Sequence, residues 1–254
     1  MQKLLLVFCV LGLALAPFPY VADAEDKKVV LASLYWPPYT GQELPAEGAS
    51  TRVVRQAFKA MGYELEIRFF PWSRAIDEFV NDPEIDGYFP EYPGRENQFS
   101  YSEIIGESSL GFAKLKKREI QWTTMDDLES YLIGTVRGYL NTPEFDSMVT
   151  KGRIRTDEAV SDIFNLRKVV AGRVDMGVVD SNTFNYLLLN DYLLYSHRHD
   201  LHVMQKLMGV LSLHVCFRKD MHGESLRKVL DEGLTHVSFQ KIQREYIERY
   251  FSLD

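Results

Sequence analysis

The sequence predicts an α/β protein of two lobes with a cleft between them. Strand-like apolar runs alternate with helix-like stretches along most of the chain, which is typical of parallel α/β sheets. A near-repeat supports two similar halves, because IDGYF (residues 85–89) and VDMGVV (residues 174–179) each follow a helix-like stretch. Each copy leads to an ionisable residue, Arg95 in the first half and Asp180 in the second. Open α/β sheets bind ligands at the carboxyl ends of their strands, so this pair predicts a site between the lobes.

The first 24 residues have the pattern of a cleaved secretory signal peptide. Lys3 supplies a positive start, and residues 4–16 form an apolar run that is too short to span a bilayer. Residues 22–24 (ADA) form a small-x-small cleavage site. We therefore expect a mature chain that begins near Glu25 and resides in the bacterial periplasm.

Composition limits the possible classes of protein. The chain has 254 residues, and removal of 24 leaves 254 − 24 = 230, enough for one large or two small domains. Cys216 is the one cysteine that remains after cleavage, so an intrachain disulfide is impossible and a hydrophobic core must stabilise the fold. The formal net charge of −7 argues against nucleic acid as a partner.

Strand and helix signals alternate in the first half. Prolines 37 and 38 force a loop after the first strand. Ser50 or Thr51 can cap the first helix, which Gly62 ends. The predicted elements are strands at 29–34, 64–70 and 87–89, helices at 51–61 and 71–81, and a loop at 90–102.

The second half repeats this alternation. Thr124 caps a short helix, and Thr142 followed by Pro143 is a strong helix start. Asp157 is predicted to cap a further helix that ends at Gly172. The predicted strands are 110–115, 133–136, 154–156 and 174–179, with two more between 201 and 218 separated near Gly209. The predicted helices are 124–131, 142–152, 157–171 and 181–190, followed by a helical tail over 223–251 with a break near Ser238.

This order of elements predicts that the second lobe is inserted into the first. The first lobe would comprise residues 25–113 and 211–254, and the second lobe residues 114–210. The chain would cross between the lobes near residues 112–116 and 208–213, in two strands that act as hinges.

Four short motifs carry a resemblance to a known family. Segment 86–96 (DGYFPEYPGRE) is similar to a D…T-x-E-R region, and Tyr101-Ser102 is similar to the F-S that follows it. Segment 128–138 (LESYLIGTVRG) is similar to D-L-x-G-x-x-V-G-V-x-x-G, and segment 172–180 (GRVDMGVVD) is similar to G-R-x-D-A…D. In this order the motifs resemble the family 3 periplasmic solute-binding proteins, the polar amino-acid binders of ABC importers. The resemblance implies the type II periplasmic binding protein fold.

The resemblance also implies roles for the two charged residues of the near-repeat. Arg95 would take a ligand carboxylate, for which the guanidinium fork is well suited, and Asp180 would take an α-ammonium. Two other interpretations remain open. Arg95 could form a surface ion pair, and Asp180 could cap the helix that begins at Ser181.

Aromatic residues stand where the family usually has small hydroxyl side chains. Tyr88, Pro90 and Tyr92 precede Arg95, and Tyr139 follows Gly138. This departure predicts an aromatic-lined cleft. Further candidate ligand-binding residues lie at the ends of the predicted strands and at the start of the second helix. Each of them could instead pack within a loop, pack in the core or lie in a solvated turn. These candidates are Tyr35, Trp36, Tyr39, Trp72, Arg74, Arg137 and Gly138.

The function expected from these features is the capture of a small zwitterionic or anionic solute for an inner-membrane ABC permease, by a monomer that needs no cofactor. His197, His199 and His202 lack the further ligands of a tetrahedral site, so no metal is expected. One rival is a periplasmic dehydratase acting on a prephenate-like acid, with Glu91 or Glu103 as general acid. A second rival is a ligand-sensing module for a separate receptor.

Overall fold

The computed structural model describes residues 27–251. The predicted signal peptide, residues 1–24, lies outside the described residues. Within residues 27–251, none of the helices combines the length and the apolar character needed to cross a bilayer.

In this part of the chain ten strands join in one sheet with the order β2-β1-β3-β10-β5-β8-β6-β7, while β4 pairs with β10 and β9 with β5. The strands are β1 Lys27–Ser33, β2 Tyr63–Phe69, β3 Gly87–Glu91, β4 Ser100–Tyr101, β5 Gly106–Leu115, β6 Leu132–Val136, β7 Arg155–Ala159, β8 Met176–Asp180, β9 Leu201–Val203 and β10 Gly209–Phe217. The helices are α1 Ala49–Ala60, α2 Trp72–Asn81, α3 Pro143–Thr150, α4 Asp162–Val170, α5 Ser181–Asn190, α6 Tyr192–Ser196, α7 Met221–Leu234 and α8 Phe239–Phe251, with 3-10 turns at Pro45–Glu47 and Met125–Ser130.

The strands pair in parallel inside each lobe and antiparallel where the two lobes connect. β1 lies parallel to β2 and β3, and β6 lies parallel to β7 and β8, as expected for strands joined by helices. β5 and β10 pair antiparallel with each other and with their other partners. The expectation of mostly parallel pairing therefore holds inside each lobe and is wrong for the strands that connect the lobes.

Separate hydrophobic cores define the two lobes. One core is built from residues between 29 and 105 together with residues between 213 and 242. Two adjoining clusters of residues between 110 and 201 form the core of the other lobe. β5 and β10 lead from one set of core residues to the other, so the second lobe is inserted into the first. The boundaries at residues 113 and 210 stay a prediction.

The near-repeat has the same hydrogen bonding in both lobes. Asp86 accepts from the Val30 amide at 2.8 Å through Oδ2, and its own amide donates to the Val30 carbonyl at 2.8 Å. Asp175 makes the same pair of bonds with Leu132, each at 2.8 Å. Both aspartates therefore bond the backbone of a neighbouring strand. Each one fixes the start of its strand against the neighbouring strand.

Several local signals are confirmed. Thr124 and Asp127 form a capping box at the 3-10 turn, and Pro143 begins α3 after Thr142, although the Thr142 side chain makes no capping hydrogen bond. Asp180 caps α5 by accepting from the amides of Asn182 and Thr183. Cys216 is a buried free cysteine in β10.

Two predicted caps are wrong. α1 begins after Gly48, while Ser50 and Thr51 are buried in its first turn. Gly48 has φ +109°, and a side chain there would collide with the backbone of Tyr39, so only glycine fits this helix start.

The second wrong cap is Asp157, which lies inside β7 opposite Gly134, while α4 begins five residues later after Ser161. Pairing of β7 with β6 outweighs the local capping preference of Asp157.

Candidate functional site

Two adjoining cavities lie between the lobes, and each has room for about one water molecule. Their shared wall consists of Trp36, Tyr92, Tyr139 and Leu140. The first cavity is also lined by Leu34, Trp72, Pro90, Glu91 and Leu213. The second is also lined by Leu110, Val136, Asn141, Asp162, Val178, Val179 and Asp180. A small-molecule ligand therefore requires the lobes to separate before it can enter.

The structure brings four of the predicted aromatic residues together at this site. Trp36 has its edge toward Tyr92, with ring centroids 6.1 Å apart. Trp72 meets Tyr139 across the cleft in a T-shaped contact at 6.2 Å. The Trp72 indole also donates to the carbonyl of Gly138 at 3.1 Å, so a first-lobe ring is hydrogen-bonded to a second-lobe turn.

Other predicted residues lie away from the cavities. Tyr88 is fully buried behind the wall, and its hydroxyl donates to Glu91. The Tyr35 ring is half exposed, and its hydroxyl donates to that of Tyr186 in the second lobe at 3.3 Å. Arg74 and Arg137 both extend into solvent, where they pair with Glu78 and Glu158 respectively.

Arg95 lies at the boundary between the lobes. Its Nε donates to Glu91 Oε2 at 2.9 Å, and its Nη2 donates to the carbonyl of Gly138 at 2.9 Å. The side chain is 21% exposed, whereas that of Glu91 is only 2% exposed. Arg95 therefore joins a buried carboxylate of the first lobe to the backbone of the second. Its Nη1 has no hydrogen-bond partner within residues 27–251.

Glu91 occupies part of the guanidinium fork that the resemblance assigns to a ligand carboxylate. Its Oε1 also accepts from the amide of Tyr92 at 3.0 Å. Burial raises the pKa of Glu91 to about 7, although the positive charge of Arg95 opposes this change. A ligand carboxylate would share Arg95 with Glu91 or displace it.

Asp180 is fully buried and has five hydrogen-bond donors. Oδ1 accepts from the amides of Asn182 and Thr183, at 2.8 and 2.9 Å. Oδ2 accepts from the hydroxyls of Tyr39 and Ser108 and from the amide of Ser109, at 3.0, 2.7 and 2.9 Å.

A carboxylate has about four lone-pair sites, so the acceptor capacity of Asp180 is used up. The helix-cap interpretation is thus confirmed. Ligand contact by Asp180 stays a prediction, and it would require one of the five donors to leave.

The donors to Asp180 form a polar network across the cleft. Ser108 gives its proton to Asp180, so the hydroxyl of Tyr92, 2.6 Å away, must donate to Ser108. Tyr39 belongs to the first lobe, and its hydroxyl also accepts from the side-chain amide of Asn182 at 2.9 Å. Burial raises the pKa of Tyr39 and the charge of Asp180 raises it further, which keeps the phenol protonated as a donor.

Asp162 is a cavity residue that the sequence analysis missed. It is 6% exposed, lines the second cavity, and accepts from the hydroxyl of Tyr139 at 3.1 Å. Burial raises the pKa of Asp162 to about 7, and the nearby charge of Asp180 acts in the same direction. The available signal was its position, because Asp162 follows the carboxyl end of β7. The predicted strand ended at Thr156, whereas β7 continues to Ala159, so Asp162 was not recognised as a residue just beyond a strand end.

Comparisons with known proteins identify the fold. No family model matches the chain, and no curated protein matches it significantly by sequence. The structure is similar to an amino acid ABC transporter substrate-binding protein from Streptococcus pneumoniae bound to L-arginine, at 20% identity and TM-score 0.68, over 89% of this chain and 95% of that chain.

Two further structures are also similar to this chain. One is a histidine kinase sensor domain with similarity to periplasmic binding proteins, at 16% identity and TM-score 0.72, over 87% of this chain and 96% of that chain. The other is an ancestral amino acid-binding protein described as a precursor of cyclohexadienyl dehydratase, at 15% identity and TM-score 0.66, over 89% and 96% of the two chains. Identities this low establish the fold alone. The chain therefore has the two-lobed fold of the periplasmic solute-binding proteins, as its resemblance to family 3 implies.

Proposed function

We propose that this protein is a periplasmic solute-binding protein of an ABC importer. It captures a small amino-acid-like or carboxylate-bearing ligand between its lobes and presents the closed form to an inner-membrane permease. The observation that carries the proposal is the position of Arg95. Its guanidinium lies at the boundary between the lobes and keeps an N–H edge that has no partner among the described residues, beside cavities walled by aromatic rings.

The residues around the cavities favour a ligand with both a polar and an apolar part. Small-molecule sites are usually apolar with a few placed polar groups. Here Trp36, Trp72, Tyr92 and Tyr139 supply the apolar wall. Guanidinium binds carboxylate in a bidentate geometry, and closure of the lobes brings the Gly138 turn against the same side chain.

We expect a thermal-shift screen to identify ligands with an aromatic or extended apolar part beside a carboxylate. Such ligands bury apolar area against the four rings, whereas small polar amino acids do not. Mass spectrometry of molecules released from the purified, denatured protein gives an independent identification. A screen in which only L-serine or L-aspartate stabilises the protein would contradict this expectation.

We also expect the identified ligand to reduce the separation of the lobes. The cavities hold about one water molecule each, so ligand must enter an open form, and only tighter binding to the closed form shifts the population. Cys216 is buried, so dyes can be placed on cysteines introduced at exposed Lys59 in the first lobe and exposed Lys151 in the second. Energy transfer between the dyes should rise when ligand is added.

Small-angle scattering of the unlabelled protein is the control for the dyes, and it should show a smaller radius of gyration with ligand. A protein that binds ligand with no change in either measurement would have a preformed pocket, and the hinge mechanism would be wrong.

Glu91 favours one second candidate function, an acid-base reaction in the same cleft. It is a buried carboxyl beside Arg95 with a pKa raised to about 7 by burial, which suits a general acid near neutral pH. A prephenate-like acid held by Arg95 would receive the Glu91 proton on its ring hydroxyl, which leaves as water while the ring carboxylate leaves as CO2 and the electrons of its C–C bond complete the aromatic ring. Product analysis after incubation with prephenate separates this function from binding, because a binding protein returns the compound unchanged.

A further inference from the structure

The carboxyl groups that line the two cavities face no basic side chain in either lining among the described residues. These carboxyl groups belong to Glu91, Asp162 and Asp180. Glu91 is paired with Arg95, and the acceptor capacity of Asp180 is used up by five donors. Asp162 has less compensation, because no cation is paired with it among the described residues and, besides its own amide, a single side chain donates to it.

Asp162 is buried without a cation in the described part of the chain. Its single side-chain donor is the neutral hydroxyl of Tyr139, at 3.1 Å, and Asp180 adds a second negative charge to the same cavity. A buried carboxylate is costly unless a positive charge or several hydrogen bonds compensate it. A positively charged group in this cavity would supply that compensation.

The wall beside Asp162 suits such a group. Trp36, Tyr92 and Tyr139 line the same cavity, and the negative face of an aromatic ring attracts an ammonium or a guanidinium. Alkyl carbons of an organic cation also pack well against these rings.

An independent feature of the wall points to a bound molecule. The Trp36 side chain is 6% exposed, and its indole N–H has no hydrogen-bond partner among the described residues. Buried donors are nearly always satisfied, and the Trp36 ring forms part of both cavities. An acceptor atom of a ligand would satisfy this donor.

We propose that Asp162 is a specificity-determining residue that binds an organic cation of the ligand, an alkylammonium or a guanidinium, within the rings of Trp36, Tyr92 and Tyr139. This inference rests on the proposed function and names its ligand class. The ligand is a molecule with a positively charged group in the second-lobe cavity and an acceptor group near Trp36 and Arg95. Asp180 acts in this arrangement as a structural acceptor.

Isothermal titration calorimetry with two matched pairs of ligands tests the proposal on the unmodified protein. L-arginine and L-citrulline share the amino-acid end and differ in a charged guanidinium against a neutral ureido group. Choline and 3,3-dimethylbutan-1-ol differ in a charged against a neutral head of the same shape. We expect the cationic member of at least one pair to bind about 10- to 100-fold more tightly, as for a hydrogen bond or contact with a buried charge.

Asp162→Asn then assigns the preference to this residue. The amide oxygen can still accept from Tyr139, so the fold should persist, while the preference for the cation should disappear. Asp157→Asn is the matched control, because Asp157 lies in the same lobe, 44% exposed and paired with Lys168, and loses the same charge. This control should keep the preference.

Three outcomes would overturn the inference. They are neutral members that bind as tightly as their cations in both pairs, a preference that survives in Asp162→Asn, and no binding by either cation. Tight binding of L-citrulline would leave the proposed function standing. Failure of every amino acid and carboxylate to bind would instead refute the proposed function itself.

Discussion

Replacement of Arg95 by alanine is expected to weaken ligand binding by about 2–5 kcal/mol while the fold persists, the range for truncating one partner of a buried charge pair. Arg95 is the one cation that joins the first lobe to the Gly138 turn of the second among the described residues. Its loss removes both the proposed partner of a ligand carboxylate and a hydrogen bond between the lobes. Calorimetry with the ligand identified by thermal shift measures the change.

Arg95→Lys should restore only part of the affinity, because an ammonium cannot reproduce the two parallel N–H donors of the guanidinium. Arg74→Ala is the matched control, since Arg74 is in the same lobe, 65% exposed and paired with Glu78. It should bind ligand as the unmodified protein does.

The alanine variant also leaves Glu91 buried without its cation, which can lower the stability of the fold. A loss of ligand affinity could then reflect either the missing contact or the lower stability. The double variant Arg95→Ala/Glu91→Gln removes this unpaired charge. If the double variant binds ligand normally, Arg95 has no part in the site.

Local sequence signals predicted much of the fold, because each of them depends only on residues that are close together in the sequence. Pro143 after Thr142, the capping box at Thr124, and the cap at Asp180 each depend on residues a few positions away. Asp157 shows the limit of this reasoning. Its residue type favours a helix cap, but it lies in β7 because that strand pairs with β6. The antiparallel direction of β5 and β10 likewise depends on how the lobes connect, which periodicity does not encode.

The candidate site was predictable only where its residues lie near a motif. Trp36, Trp72, Tyr92 and Tyr139 follow or precede the predicted strand ends, and the structure places all four at the cavities. The partners of Asp180 could not be predicted, because Ser108 is 72 residues and Tyr39 is 141 residues away along the chain. Their contact depends on the packing of one lobe against the other.

The second large effect is expected from replacement of Asp180 by alanine, which should lower the free energy of unfolding by about 3–5 kcal/mol. Loss of a helix cap alone costs about 1 kcal/mol. Here the amide of Ser109 and the hydroxyls of Ser108 and Tyr39 also lose their acceptor in a buried position, at about 1–3 kcal/mol for each group left unsatisfied. Water that enters the space left by the side chain offsets part of this sum.

Asp220→Ala isolates the capping contribution to this loss. Asp220 caps α7 by accepting from the amide of Gly223, at an exposed position, so its removal should cost only about 1 kcal/mol. Tyr39→Phe removes one cross-lobe donor to Asp180 and leaves the cap of α5 in place, so its cost should be smaller than that of Asp180→Ala. Urea denaturation of the ligand-free proteins, followed by far-UV circular dichroism, gives the three free energies. Should Asp180→Ala lose no more stability than Asp220→Ala, the five-donor network would contribute nothing beyond a helix cap, and Asp180 would again be free to serve a ligand ammonium.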